Sequence, residues 1–135
     1  MKLPHKSHVA IVDGENFMLM QNMGQPFDPA LEVVKLPDLD PTNFSAGVRH
    51  QDQIGQELGR TDLGELAHGA AVAQWLNEKA IAGKIDQIAI IADPKTLGEM
   101  RRHYHPELKD RLIGEIDKTL SGQPTDRIEK VISEA

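Results

Sequence analysis

Three carboxylates stand beside apolar segments at positions where folding could bring them together. Asp13 follows the apolar run at 8–12, Asp93 follows another at 85–92, and Glu65 stands near the start of a helical pattern. Carboxylates gathered in this way can hold two divalent metal ions about 4 Å apart and support phosphodiester cleavage. The chemistry that these residues could perform is therefore that of a metal-dependent nuclease.

Each carboxylate also has an ordinary structural role. Asp13 begins an Asp-Gly turn, and Glu65 stands three residues after Asp62 in the spacing of a capping box. Asp93 precedes Pro94, which suits an N-cap followed by the first helical residue. Because turns and caps are the usual work of such residues, the sequence predicts no catalytic residue.

Binding candidates fall on the turn, on one loop and on one helix. The segment KTLGEMRR at 95–102 places Lys95 and Thr96 in a first helical turn, where free backbone N–H groups and the helix dipole attract anions. The alternative is a solvated helix face with Leu97 and Met100 toward the core. The candidate binding residues are Asp13, Gly14, Gly55, Gln56, Lys95, Thr96, Arg101 and Arg102.

No metal or cofactor is predicted. The chain has no cysteine, and two of its six histidines, His103 and His105, have an i, i+2 spacing that diverges on a helix. The sequence contains no Walker A loop, dinucleotide fingerprint or Gly-x-Ser-x-Gly elbow.

Composition limits the partners. The chain has 135 residues and a net charge of −6, which suits a single domain over 1–135 and disfavours broad nucleic-acid binding. No apolar stretch approaches a membrane span, and the N-terminus lacks a signal-peptide core, so we expect a cytoplasmic protein. The sequence leaves its partner and its oligomeric state open.

Apolar patterns predict the elements in order. Runs at 8–12 and 17–20 flank Asp-Gly-Glu-Asn as a hairpin, and 31–36 forms a third strand. A long flexible loop at about 37–64 leads into a helix that ends near position 82. The remaining elements are a buried strand at 85–92, a helix from 94 to about 104, a segment at 106–120 that fits either a helix or a strand, and a last helix after 123 with Ile128, Val131 and Ile132 as its apolar stripe.

With 111–119 taken as a strand, the order is β-β-β-α-β-α-β-α. This is the element order of the ribonuclease-H-like fold, an α/β class in which a mixed five-stranded sheet carries helices on both faces.

Three blocks together resemble one known family. They are MKLPH with the VDGEN turn, IIADPKTLGEMRR, and LIGEIDKTLSGQPTDRIEKVI. They are similar to the host-attachment family, "protein required for attachment to host cells", which is related to the middle domain of archaeal and eukaryotic peptide-chain release factors. The resemblance covers about 1–36 and 60–135. It implies ribonuclease-H-like topology and no particular reaction. The leading hypothesis is a non-enzymatic binding protein of this family that has an unknown protein or ribosomal partner.

The alternative hypothesis is a translation-associated factor that docks on the ribosome through the 45–60 loop and the 95–102 helix. Related release factors place the glutamine of a Gly-Gly-Gln loop in the peptidyl-transferase centre. Here the loop contains Ile54-Gly55-Gln56, so the glycine pair is incomplete. The family pattern also departs at Asp93-Pro94-Lys95, where Pro-Pro-Arg is usual. We therefore predict that the protein does not hydrolyse peptidyl-tRNA.

Overall fold

The computed structural model describes residues 1–34 and 60–135, with the backbone alone at 60–63. Three strands come first, and helices precede, separate and follow the two remaining strands. The elements are β1 His8–Val12, β2 Phe17–Asn22, β3 Leu31–Val34, α1 Arg60–Ile81, β4 Ile88–Ala92, α2 Pro94–Arg101, α3 Pro106–Arg111, β5 Leu112–Asp117 and α4 Thr125–Glu134.

The five strands form one mixed sheet in the order β3-β2-β1-β4-β5. The β1–β2 and β2–β3 pairs are antiparallel, whereas β4 lies parallel to both β1 and β5. This arrangement confirms the predicted α/β class and agrees with the ribonuclease-H-like element order. The carboxyl ends of the three parallel strands consequently meet at one edge of the sheet.

Helices cover both faces of the sheet, as predicted, and β4 explains why. All five of its residues are buried, which requires an apolar layer on each side. Ile88 and Ile90 pack in one core with residues of α1, α2 and α3. Ala89 and Ile91 pack in a second core with the apolar stripe of α4 and with Leu3.

Helix α1 contributes the longest apolar stripe to the first core. Val72, Leu76 and Ala80 are fully buried, and the Trp75 ring meets the Phe17 ring edge-on at 5.6 Å. The helix ends at Ile81, close to the predicted end, and Gly83 follows with a φ of 74°. Within 1–34 and 60–135, no helix is both long and apolar enough to cross a lipid bilayer.

The start of α1 differs from the prediction. Residues 60–64 were assigned to the long loop, but the helix begins at Arg60. Asp62 therefore lies inside the first turn, and the predicted capping box with Asp62 at the N-cap is wrong. Gly64 lies within the helix, since one glycine costs a helix only about 1 kcal/mol, which tertiary packing can offset. The rest of the predicted loop, at 37–59, lies outside the described residues.

The ambiguous segment at 106–120 contains both of the predicted alternatives in succession. Helix α3 occupies its first six residues and β5 the next six, so two helices separate β4 from β5 where one was expected. Helix α2 ends at Arg101 rather than near 104, because a turn follows at 102–103 and His105 is extended before Pro106. Strand β4 begins at Ile88, three residues later than predicted, since Asp86 and Gln87 form a bend.

Two buried asparagines hold the connections between elements. Asn22 donates to the Leu3 carbonyl at 2.7 Å and accepts from the backbone N–H groups of Gly24 and Ala30. Asn77 of α1 holds the segment between α2 and α3 in the same manner. It donates to the His103 carbonyl at 2.7 Å and accepts from the His105 N–H at 2.9 Å.

The outer strand β3 is tied to α4 by a side chain. The Glu129 carboxylate accepts a hydrogen bond of 2.8 Å from the Leu31 backbone N–H. The last helix thus contacts the sheet through a polar group as well as through its apolar stripe.

Candidate functional site

A cavity of about 380 Å³ lies at the edge where the parallel strands end. In open α/β sheets, ligands bind in crevices beyond the carboxyl ends of the strands, so this position is the one that the topology favours for a site. The lining residues come from the β1–β2 turn, α1, and the segments after β4 and β5. They are Asp13, Gly14, Glu15, Asn16, Glu65, Asp93 and Thr119.

The Asp13 carboxylate is held by its own turn, as predicted. It accepts hydrogen bonds from the backbone N–H groups of Glu15 at 2.7 Å and Asn16 at 2.6 Å, and from the Asn16 side-chain amide. Partial burial by itself would raise the pKa of Asp13, but these hydrogen bonds outweigh it and hold the pKa at about 2, below the usual 3.8. Asp13 is therefore a fixed negative charge at neutral pH.

Gly14 permits a close approach between the turn and α1. A Cβ placed on Gly14 would overlap Cγ of Glu65 and would lie 2.7 Å from its Cδ. The Glu65 carboxylate extends from there to the Lys95 ammonium, and the two are 3.2 Å apart. Glu65 thus links the β1–β2 turn, α1 and the first turn of α2.

Asp93 caps α2, as its place before Pro94 predicted. Its Oδ2 accepts from the Thr96 backbone N–H at 3.1 Å. Its Oδ1 is buried and has no hydrogen-bond partner in the described residues. The cap occupies the N–H group of Thr96, one of those on which the predicted anion site depended.

The basic residues of the predicted binding helix all contact carboxylates. Besides the Lys95–Glu65 pair, Arg101 binds Glu115 through two nitrogens and Arg102 lies 3.4 Å from Glu99. Thr96 is buried, with its methyl group toward Gly69 of α1. A binding role for these four residues stays a prediction. The candidates Gly55 and Gln56 lie outside the part of the chain that the structure describes.

Sequence reasoning missed a polar cluster that is built around Glu115 of β5. The Tyr104 hydroxyl donates to Glu115 Oε2 at 2.9 Å, and Arg101 donates to both oxygens of the same carboxylate. Burial, together with the adjacent negative charge of Glu115, raises the pKa of Tyr104 well above its usual value. The cluster joins the α2–α3 connection to β5, so it stabilises the packing of these elements.

A second cavity of about 250 Å³, with a mixed apolar and polar lining, adjoins the first, and sequence reasoning missed it. The two share Asn16, at the tip of the β1–β2 hairpin. Gly122 contributes to its wall with a φ of 77° and no side chain to fill the space. We call this cavity the hairpin groove; it is lined by Ile11, Asn16, Phe17, Met18, Ser121 and Gly122.

The carboxylates of the nuclease hypothesis do line one cavity, but their geometry does not support a metal centre. In the described residues, no group of three or more His, Asp or Glu side chains is arranged to hold a metal ion. Asp13 is held by its turn, Glu65 by Lys95, and Asp93 by the helix that it caps.

The sheet order, the helices on both faces and the cleft at the strand ends define an α/β domain of ribonuclease-H-like arrangement. A family model described as bacterial archaeo-eukaryotic release factor family 12 matches residues 6–132, so the chain belongs to this family. A comparison with curated proteins gives no match. The match confirms the release-factor relationship predicted from the three sequence blocks and does not address host attachment.

Proposed function

We propose that this protein is a translation-associated factor that binds the ribosome. The observation that supports the proposal is family membership across residues 6–132, nearly the whole chain. Release factors act on the ribosome, and a domain that shares their ancestry can keep ribosome binding without the hydrolytic step.

The paired charges of α2 bear on how the protein would dock. A helix that binds rRNA phosphates needs lysines and arginines directed at the backbone of the nucleic acid. Lys95, Arg101 and Arg102 instead contact carboxylates of this chain. Each phosphate contact would compete with an existing ion pair, which favours docking through another surface.

Co-sedimentation tests the proposal. The purified full chain is layered with bacterial 70S ribosomes on a sucrose cushion at about 0.1 M salt, and the pellet is assayed for the protein. An acidic protein of similar mass and no relation to translation serves as the control. We expect this chain, but not the control protein, to co-sediment with the ribosomes in a saturable manner. Recovery of all of it in the supernatant, with 70S ribosomes and with separated subunits, would contradict the proposal.

The host-attachment hypothesis, which led the sequence interpretation, stays a prediction. It rests on the resemblance of the three blocks, and neither the fold nor the cleft adds support for it. An attachment assay that compares cells with and without the protein would test it separately from ribosome binding.

A further inference from the structure

The hairpin groove combines an apolar wall with an acidic neighbour. Ile11, Phe17 and Met18 supply its apolar surface, and Met18 is only partly buried. Across Asn16 lies the first cavity, whose seven described lining residues include four carboxylates and neither lysine nor arginine. Lys95 offsets the charge of Glu65, so the region as a whole remains negative.

The apolar wall and the negative charge together indicate what kind of partner would bind here. A negative rim attracts cationic partners and repels phosphates, so it selects against RNA. The hairpin groove has a volume of about 250 Å³ and an apolar wall beside that rim. It can therefore hold one apolar side chain next to a lysine or arginine. The hairpin itself is stiff, because Asp13 and Asn16 are joined by both backbone and side-chain hydrogen bonds.

We propose that the hairpin groove and the adjoining acidic cavity form one docking surface for a basic segment of a ribosomal protein, with an apolar side chain in the groove and a lysine or arginine in the acidic cavity. The inference rests on the proposed function and names the partner of ribosome binding as protein rather than rRNA.

Charge reversal at the rim provides the first test. Glu15 is exposed and its side chain lines the acidic cavity, whereas Glu134 is exposed at the end of α4. Glu15→Lys and Glu134→Lys change the net charge equally. We expect Glu15→Lys to weaken ribosome binding about tenfold and Glu134→Lys to change it less than about twofold. Equal effects of the two variants would overturn the docking surface.

A second pair of variants tests the apolar wall. Met18→Ala removes part of the wall, and Met23→Ala removes an exposed methionine from outside the groove. Melting temperatures are measured alongside binding. We expect only Met18→Ala to weaken ribosome binding, by about fivefold, at a temperature where both variants are folded. An unchanged affinity in folded Met18→Ala would overturn the role of the groove.

Crosslinking identifies the class of partner. The chain contains no cysteine, so Thr119→Cys carries a benzophenone at the acidic cavity and Ser133→Cys carries one on α4. We expect the Thr119 probe alone to label a ribosomal protein. Labelling of rRNA would overturn the inference while leaving ribosome binding intact. Failure of the unmodified chain to co-sediment would overturn both.

Discussion

The Asp13 carboxylate has the chemistry of a catalytic group, but its hydrogen bonds are made within its own turn. Both of its oxygens accept hydrogen bonds from Asn16, and the Glu15 N–H adds another. Such Asx turns are a common use of aspartate before glycine. The sequence therefore predicted the local contacts of Asp13 correctly, because these contacts depend only on residues within the turn.

Replacement of Asp13 should affect stability. Asp13→Ala leaves the N–H groups of Glu15 and Asn16 without their acceptor, and we expect a loss of about 1 kcal/mol in the free energy of unfolding. Asp13→Asn keeps one acceptor oxygen and should cost less. Urea denaturation measures both. An unchanged stability in Asp13→Ala would contradict this structural role of the turn.

The pKa of Asp13 adds a pH dependence to this prediction. The pKa is about 2 in the folded chain and near 3.8 in the unfolded chain, so the unfolded state binds the proton more readily. The stabilisation is complete above pH 3.8 and is lost as the pH falls toward 2. We expect Asp13→Asn to lose less stability than the wild type between pH 5 and pH 2.

Gly14 is required by a neighbour that is distant in sequence. Gly14→Ala places a methyl group against the Glu65 side chain, which must move away from Lys95. We expect a loss of about 1–2 kcal/mol from this crowding. In the Glu65→Ala background the same change should cost much less, and a double-mutant cycle measures the difference. Additive effects would show that the crowding is absent.

At the scale of elements, periodicity predicted the parts whose pattern is local. The nearly continuous burial of β1, the continuous apolar run of β4 and the stripe of α4 follow from which residues must face a core. Periodicity did not resolve the segment at 106–120, because a six-residue helix and a six-residue strand follow each other directly within one apolar pattern. The Arg101–Glu115 pair was also invisible, since it depends on where α2 packs beside β5.

Asn77 of α1 allows a prediction about the segment that connects α2 to α3. Asn77→Ala leaves the His105 N–H and the His103 carbonyl without their partner near the end of α2. A buried pair left unsatisfied costs about 2–3 kcal/mol. We expect a loss of that size in thermal unfolding, and faster amide hydrogen exchange between α2 and α3. The exposed change Gln123→Ala, outside this network, is the control.

At the scale of the whole molecule, the negative charge of the chain bears on which activity of the related release factors we expect it to share. Residues 45–64 contain two arginines against three acidic residues, and the net charge of the chain is −6. A negative segment is repelled by the phosphates that surround the peptidyl-transferase centre. We therefore expect ribosome binding through a basic protein and no insertion of Gln56 into that centre.

The purified protein should consequently release no peptide from programmed ribosomes. Gly55 alone precedes Gln56, and the β-branched Ile54 resists the positive φ that a second glycine would allow. Peptide release is measured with a labelled peptidyl-tRNA in the ribosomal P site. Release that disappears in Gln56→Ala would contradict the prediction.

The hydrogen bond between Glu129 and the Leu31 N–H also governs how copies of the protein behave toward one another. A sheet edge with free N–H groups templates the addition of further strands and, through them, fibrils. Glu129 occupies one such group on β3 and places a carboxylate there, beside the exposed Val33. Concentrated Glu129→Ala should therefore form thioflavin-positive aggregates sooner than Glu134→Ala, so that a residue remote from the cleft protects the solubility of the folded chain.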